Sequence, residues 1–294
     1  MSSVPRPSFD ASISNVLFRR KRETESAVVD IGKCTQHSLR CGYYIRWSSG
    51  PRPEKSNNTP RPVTDKERSL KAVIKLGGFA FPTGLDKPLV TEYVRLLKEL
   101  VGKHQLVVVT GGGETARSYI KAARSMGVSE SLCDQLGILV SRLNARLLVD
   151  GLGEHAFPQI PVNIDELKHF FTSEKIVAMG GLTPGHSTNA VAAIAAETVG
   201  AELFVNATDV DGVYTGDPEK DKHAMKLDKV SVTQLAEILS KTGMTAGAYD
   251  LMDPLALRII ERSKLSTVIV DGRKPSNVAQ ALRKEDIGTQ IVHK

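Results

Sequence analysis

From residue 70 onward, short β-branched runs alternate with amphipathic stretches of helical length. That alternation restricts the chain to an α/β fold. Strands are expected at about 72–76 (AVIKL), 105–110 (QLVVVT), 175–179 (KIVAM), 202–207 (ELFVNA), 267–271 (TVIVD) and 288–292 (GTQIV). Four of these are nearly continuous apolar runs, as strands buried on both faces of a parallel sheet must be. Helices are expected between them, at about 86–102, 113–127, 130–150, 188–199, 231–240, 254–263 and 276–284. Ser231 with Gln234 forms a capping box ahead of Leu235, Ile238 and Leu239, and Asp253 precedes Pro254 as a cap before proline at the first helical position. No internal repeat of solenoid period is visible.

Charge divides the chain. Of 39 Lys/Arg and 33 Asp/Glu, residues 1–68 hold 13 and 7, so the whole net charge of +6 lies there and residues 69–294 carry 26 of each sign. The same segment has 6 of the 14 prolines, 10 serines and the only tryptophan, Trp47, with no convincing helical or strand periodicity between Ser48 and Ser69. It reads as a basic, Pro/Ser/Arg-rich extension, disordered for the most part, ahead of one domain at 69–294. An Arg- and Ser-rich targeting peptide, an arm for an acidic partner and sequence without a role are all open. Asp10, Glu23, Glu25 and Asp30 weigh against a transit peptide, and the run Arg19 to Arg22 is short enough to be a solvated tail. A core of zero net charge makes nucleic acid an unexpected partner.

Composition excludes several classes. With 41% hydrophobic and 24% charged residues, the chain is neither fibrous nor wholly disordered. No apolar run approaches the roughly 18 residues of a membrane-spanning helix. Three widely spaced cysteines, Cys34, Cys41 and Cys133, build neither a disulfide framework nor a four-ligand zinc site. A cytoplasmic, reducing compartment is the expectation.

Ligands of open α/β sheets bind beyond the carboxyl ends of strands, and three glycine-rich loops fall there. The first is Lys75-Leu76-Gly77-Gly78, where a strand-end lysine meets two glycines that let backbone approach an anion. The second, Gly111-Gly112-Gly113-Glu114-Thr115-Ala116-Arg117, joins a strand to a helix, so helix N-terminal amides with an arginine one turn in offer a phosphate cradle. The third runs Gly180-Gly181-Leu182-Thr183-Pro184-Gly185-His186-Ser187-Thr188 and adds hydroxyl donors. A solvated lysine and a plain structural turn are the bland alternatives for the first and third.

Gly111-x-Gly113-x-x-Ala116 also fits the dinucleotide fingerprint, with Glu130 or Asp134 about 20 residues on. The context is wrong, because Leu132, Leu136, Leu139, Val140, Leu143 and Leu147 place that acid on a helix and not at the end of a second strand. The P-loop pattern is absent.

VIKLGG, VVVTGGGETARSYI, DQLGILVSRLNARLL, GGLTPGHSTNA and ATDVDGVYTGDP, in this order from about Lys71 to His293, resemble the amino acid kinase superfamily and, within it, the archaeal type of uridylate (UMP) kinase. The resemblance implies a three-layer αβα sandwich with a mostly parallel central sheet. Its N-terminal half (about 69–180) would bind the phosphoryl acceptor and its C-terminal half (about 181–294) ATP, with Mg2+ between them, in a homohexamer. Carried over by position, Lys75 and Arg117 are the catalytic cations. Lys75, Gly77, Gly78, Gly113, Arg117, Thr208, Asp209, Tyr214 and Asp217 match ATP-binding positions, with Tyr214 packed on the base. Gly112, Asp134, Thr183, Pro184, Gly185, His186, Ser187 and Thr188 match UMP-binding positions, Asp134 receiving the ribose hydroxyls. No protein ligand for the metal is assigned, since Mg2+ would come through the ATP phosphates.

Chemistry agrees with what the motifs lack. A nucleoside monophosphate has a second phosphate pKa of about 6 and attacks without a general base. Positioning and charge neutralisation remain, and lysine, arginine, amides and Mg2+ supply both. Three positions depart from the pattern. Phe79 follows the glycine pair where relatives often have a small hydroxyl residue. Asn189 stands where related kinases carry an aspartate, and Asn206 and Asp209 stand where bacterial UMP kinases place lysines. Another small-molecule kinase, with isopentenyl phosphate or an amino acid as acceptor, and a non-catalytic binding protein are the alternatives.

Overall fold

The computed structural model describes residues 69–83, 89–216, 221–241 and 251–293. The chain runs from β1 (Lys71–Leu76) through a short 3-10 turn (Gly78–Ala80) to α1 (Leu89–Leu100), β2 (Gln105–Thr110), α2 (Gly113–Ser125) and α3 (Glu130–Leu152). It continues through α4 (Ile164–Phe171), β3 (Val177–Met179), α5 (Thr188–Val199) and β4 (Leu203–Thr208). The last part holds β5 (Val213–Tyr214), β6 (Lys226–Leu227), β7 (Lys229–Ser231), α6 (Val232–Lys241), α7 (Pro254–Arg262), β8 (Thr267–Asp271), α8 (Pro275–Leu282) and β9 (Thr289–Val292).

Seven strands form one sheet in the order β3-β2-β1-β4-β8-β9-β7, and β5 with β6 forms a small antiparallel pair. β1 to β4 and β8 are parallel, whereas β9 runs antiparallel to β8. Side chains alternate between two cores. Val73, Val107, Val109, Met179, Phe204 and Ile269 pack with α4, α5, α6 and α7 on one face. Ile74, Leu76, Val108, Val205 and Val270 pack with α1, α3 and α8 on the other. This is the expected αβα sandwich, and its five parallel strands point their carboxyl ends at one edge.

Local chemistry explains the boundaries. Ser231 Oγ accepts the amide of Gln234 while Gln234 Oε1 accepts the amide of Ser231, the reciprocal bond that starts α6. Asp253 accepts the amides of Leu255 and Ala256, so α7 opens with a satisfied first turn and buries Ala256, Leu257, Ile259 and Ile260. Losing such a cap costs about 1 kcal/mol. Four elements go beyond the sequence reading. α4 is signalled by Asn163, whose side chain accepts the amide of Glu166 at 2.8 Å before Leu167, Phe170 and Phe171 turn inward. β5, β6 and β7 span only two or three residues and carry no periodicity.

The leucine periodicity of α3 marks a helix but not its inner face. Leu132, Leu139, Leu143 and Leu147 are exposed, whereas Cys133, Ser141, Asn144, Ala145, Leu148, Val149 and Leu152 are buried. The inner face of α3 is partly polar because it meets backbone.

Candidate active site

Lys75 lies one residue before the end of β1, in register with Val109 of β2 and Asn206 of β4, and is only 7% exposed. Beyond it the chain leaves the sheet through Gly77, whose amide donates to Ala207 O at 3.0 Å, and turns at Gly78. The second glycine loop leaves β2 beside it, with the Gly111 amide on Leu76 O at 2.9 Å. The two loops touch backbone to backbone. A Cβ on Gly78 would sit 2.6 Å from Gly113 Cα, and one on Gly113 would sit 2.5 Å from Phe81 O. Gly113 also has φ of +66°, a conformation natural only to glycine. Gly112 precedes α2 without a side-chain cap, so the positive end of that helix opens beside Gly77 and Gly78. Arg117, one turn in, is exposed.

α3 holds the loops in place. Asn144 Nδ2 donates to Gly111 O at 2.8 Å, and Thr110 Oγ1 donates to Ser141 O at 2.7 Å. Ser141 Oγ accepts the amide of Gly181 at 2.8 Å. The Arg142 guanidinium donates to Gly181 O at 2.9 Å through Nε, and to Leu182 O at 3.4 Å and Val162 O at 3.5 Å through Nη2. Burial pushes the Arg142 pKa down, with Glu166 opposing it. The third glycine loop passes so close to α3 that a Cβ on Gly180 would lie 2.5 Å from the Arg142 amide nitrogen. Farther along, Asp134 Oδ2 accepts the amide of Gly185, where φ is +80°. The structure thus brings Asp134 and the loop 183–188 together.

The loop ends at α5. His186 is exposed, and its amide closes a turn on Thr183 O. Pro184 lies half-buried in that turn and Thr188 starts the helix. Ser187 caps α5 by accepting the amide of Ala190, and its hydroxyl donates to Asp253. Asn189 is buried in the first turn of α5.

On the other side, Thr208 ends β4 and donates to Asp209 Oδ1 at 3.1 Å. The Tyr214 hydroxyl donates to Asp211 at 2.9 Å, and Lys226 pairs with the other oxygen of Asp211 at 3.3 Å. Burial acts to raise the Asp211 pKa, but the hydrogen bonds from Tyr214 and Lys226 outweigh it and the net shift is downward. The bond to Asp211 raises that of Tyr214. Asp217 lies outside the described residues. The Gly272 amide donates to Thr208 O at 2.7 Å, so β8 brings Asp271 and its ion-pair partner Arg273 to the same edge. Sequence reasoning pointed at the loops but not at Thr110, Ser141, Arg142 and Asn144. Their partners are backbone atoms, which leave no trace in residue identity.

The sequence profile of the Amino acid kinase family matches residues 71–271, which span β1 to β8. The chain belongs to the amino acid kinase family. Among related family members, the Uridylate kinase of Methanosarcina acetivorans is 46% identical over 213 residues, covering 72% of this chain and 91% of that protein. That of Methanococcoides burtonii is 45% identical over 220 residues, covering 75% and 94%. In three dimensions the crystal structure of Uridylate kinase from Archaeoglobus fulgidus overlays with a TM-score of 0.68 at 40% identity, covering 76% of this chain and all of that one. UMP kinase from Bacillus anthracis, at 22% identity and a TM-score of 0.64, shares the fold. These alignments cover about three quarters of the chain.

Proposed function

We propose that this amino acid kinase family member is a uridylate kinase, an enzyme that moves the γ-phosphoryl group of ATP to UMP and releases ADP and UDP. The observation that carries the reading is the joint of two glycine loops at the N-terminus of α2 with Lys75 buried at its base. Such a joint favours a polyphosphate, because it presents amides and a fixed cation in a setting that costs little reorganisation when charge moves. Lys75, with the amides of Gly77 and Gly78, would hold the transferring group. Gly113 and Arg117 would neutralise phosphates from the α2 side. Asp134 would take the ribose hydroxyls of UMP with Gly112 and the loop Thr183 to Thr188 around it. Thr208, Asp209, Tyr214 and Asp217 would hold the adenosine end.

Mg2+ would enter as the complex with ATP. In that complex the phosphate oxygens supply hard ligands of the kind Mg2+ prefers. Bound there, it would neutralise charge on the phosphates. The acceptor phosphate is largely dianionic at neutral pH, so Lys75 and Arg117 have no proton to move and act through position and charge.

A coupled ADP-release assay over UMP, CMP, dTMP, AMP, isopentenyl phosphate, glutamate and carbamate tests the reading. UMP-dependent turnover with Mg2+ is expected, and UMP preferred to CMP. Turnover with isopentenyl phosphate alone would reassign the acceptor, and background release throughout would make the protein a binder.

Asn189 gives a second test. A carboxylate in the first turn of α5 meets the positive end of the helix and lies on the side of the sheet that carries Lys75. Asn189→Asp is therefore expected to leave kcat unchanged or raise it. A fall in kcat/KM for ATP of more than about tenfold would mean the site is built around a neutral amide.

The domain reading places all catalytic parts in 69–294, with about 69–180 mainly for the acceptor and 181–294 mainly for ATP, while the loop 183–188 closes on the acceptor from the second half and the glycines of the first half reach the ATP phosphates. A chain begun at Ser69 is expected to keep its fold and most of its activity, since the five matched strings and the family match at 71–271 all lie beyond that point. Loss of soluble folded protein, measured by circular dichroism and chromatography, would make the extension structural. A homo-oligomer, a hexamer by family resemblance, is supported by the exposed stripe of Leu132, Leu139, Leu143 and Leu147, which fall within an arc of about 80° on α3. No helix among the described residues is long and apolar enough to cross a membrane. A role in pyrimidine nucleotide synthesis in the cytoplasm belongs to the same proposal.

A further inference from the structure

We infer that Arg142, a residue of α3 outside the phosphate cradle, is the positioning residue of the acceptor loop and sets the affinity for the nucleoside monophosphate through it. The inference rests on the reading of residues 183–188 as the acceptor loop.

The loop leaves β3 through Gly180 and Gly181 and carries no regular structure until Ser187 caps α5. Over that span its backbone is held from one side, by α3, at three heights. Ser141 Oγ takes the Gly181 amide, the Arg142 fork takes the carbonyls of Gly181 and Leu182, and Asp134 takes the Gly185 amide. Of these three side chains, that of Arg142 alone among the described residues also reaches the segment ahead of α4, through Val162 O, so it ties the loop to the neighbouring connection as well as to α3. Its partners are carbonyl oxygens, and Glu166, the acid whose charge acts on it, bonds instead to the backbone of Val162 and to Asn163. A guanidinium suits this task, since its donors diverge in a plane and keep their charge on burial. Gly180 shows how tightly the parts are fitted, because no Cβ can enter between the loop and the Arg142 backbone. Freed from the fork, Gly181 and Leu182 lose their register on α3, and the loop must be ordered at the moment UMP binds. That cost falls on acceptor binding and leaves the ATP side, built on β4 and β8, in place.

Arg142→Met keeps the apolar stem and removes the donors, and Arg142→Lys keeps the charge but not the fork. Hydrogen exchange of the unliganded proteins and steady-state kinetics with each substrate varied give separate readouts. Faster exchange across 181–187 is expected in both variants. UMP KM should rise about tenfold in Arg142→Met and less in Arg142→Lys, with ATP KM within about twofold and kcat within about threefold. Unchanged exchange at 181–187 in either folded variant, or a UMP KM within about twofold of wild type in both, would overturn the proposal. Absence of UMP turnover in the wild-type protein would instead sink the uridylate kinase reading, while the exchange result still decides whether Arg142 holds the loop.

Discussion

Replacing Lys75 by alanine is expected to lower kcat by about 10²–10³, the usual effect of deleting one preorganised contact to charge that develops in the transition state. The lysine is buried within the sheet between Val109 and Asn206, so its ammonium is held by its surroundings and no exposed neighbour on β1 can take its place. The effect should fall on kcat, with a smaller change in UMP affinity. Lys75→Met, which keeps the stem, separates loss of charge from loss of packing, and both variants should be compared by thermal melting. Retention of more than about half of the wild-type kcat in Lys75→Ala would remove this residue from the site.

The second large effect belongs to a residue without a side chain. Gly113→Ala must place a methyl group 2.5 Å from Phe81 O and 2.8 Å from Gly78 O while holding φ at +66°. The left-handed backbone alone costs about 1–2 kcal/mol, and overpacking adds about 1–3 kcal/mol. For a domain of this size a Tm drop of roughly 5–15 °C follows, and kcat should fall with it as the two loops separate. Gly102 is the control, because its φ is +80° but nothing lies within 4 Å of an added Cβ. Gly102→Ala should show the backbone penalty alone. Equal melting temperatures for the two variants would mean that the loop joint yields without cost.

Much of this was readable from residue order, and the reasons are physical. Buried parallel strands need continuous apolar runs, and glycines at the ends of AVIKL and QLVVVT mark where backbone must pass close to backbone. Gly78 and Gly113 meet as that pattern demands. Caps such as Ser231 and Asp253 are local chemistry and appear where their neighbours place them. What sequence could not convey is which side of α3 is inside, because periodicity describes a helix and its partner chooses the face. Leu139 and Leu143 look like core and lie outside, while Ser141 and Asn144 look like surface and lie inside. Arg142 belongs to the same class, since an arginine on a helix is solvated by default and only the fold shows that a loop lies over it. The pairing of Tyr214 with Asp211 joins residues three apart, but the hairpin that makes it is too short to announce itself.

On the proposed reading of the third glycine loop as the acceptor loop, its division of labour with α3 bears on how acceptor preference can change. Apart from the Ser187 cap, the loop is held by its main-chain amides and carbonyls at Gly181, Leu182 and Gly185, so the side chains of Thr183 and His186 stand exposed and do not support the framework. Substitutions at those two positions can alter what the loop touches without moving its path. Drift in substrate choice is therefore cheap at Thr183 and His186 and costly at Ser141 and Arg142, which makes the helix the conservative partner and the loop the place where new specificities are tried.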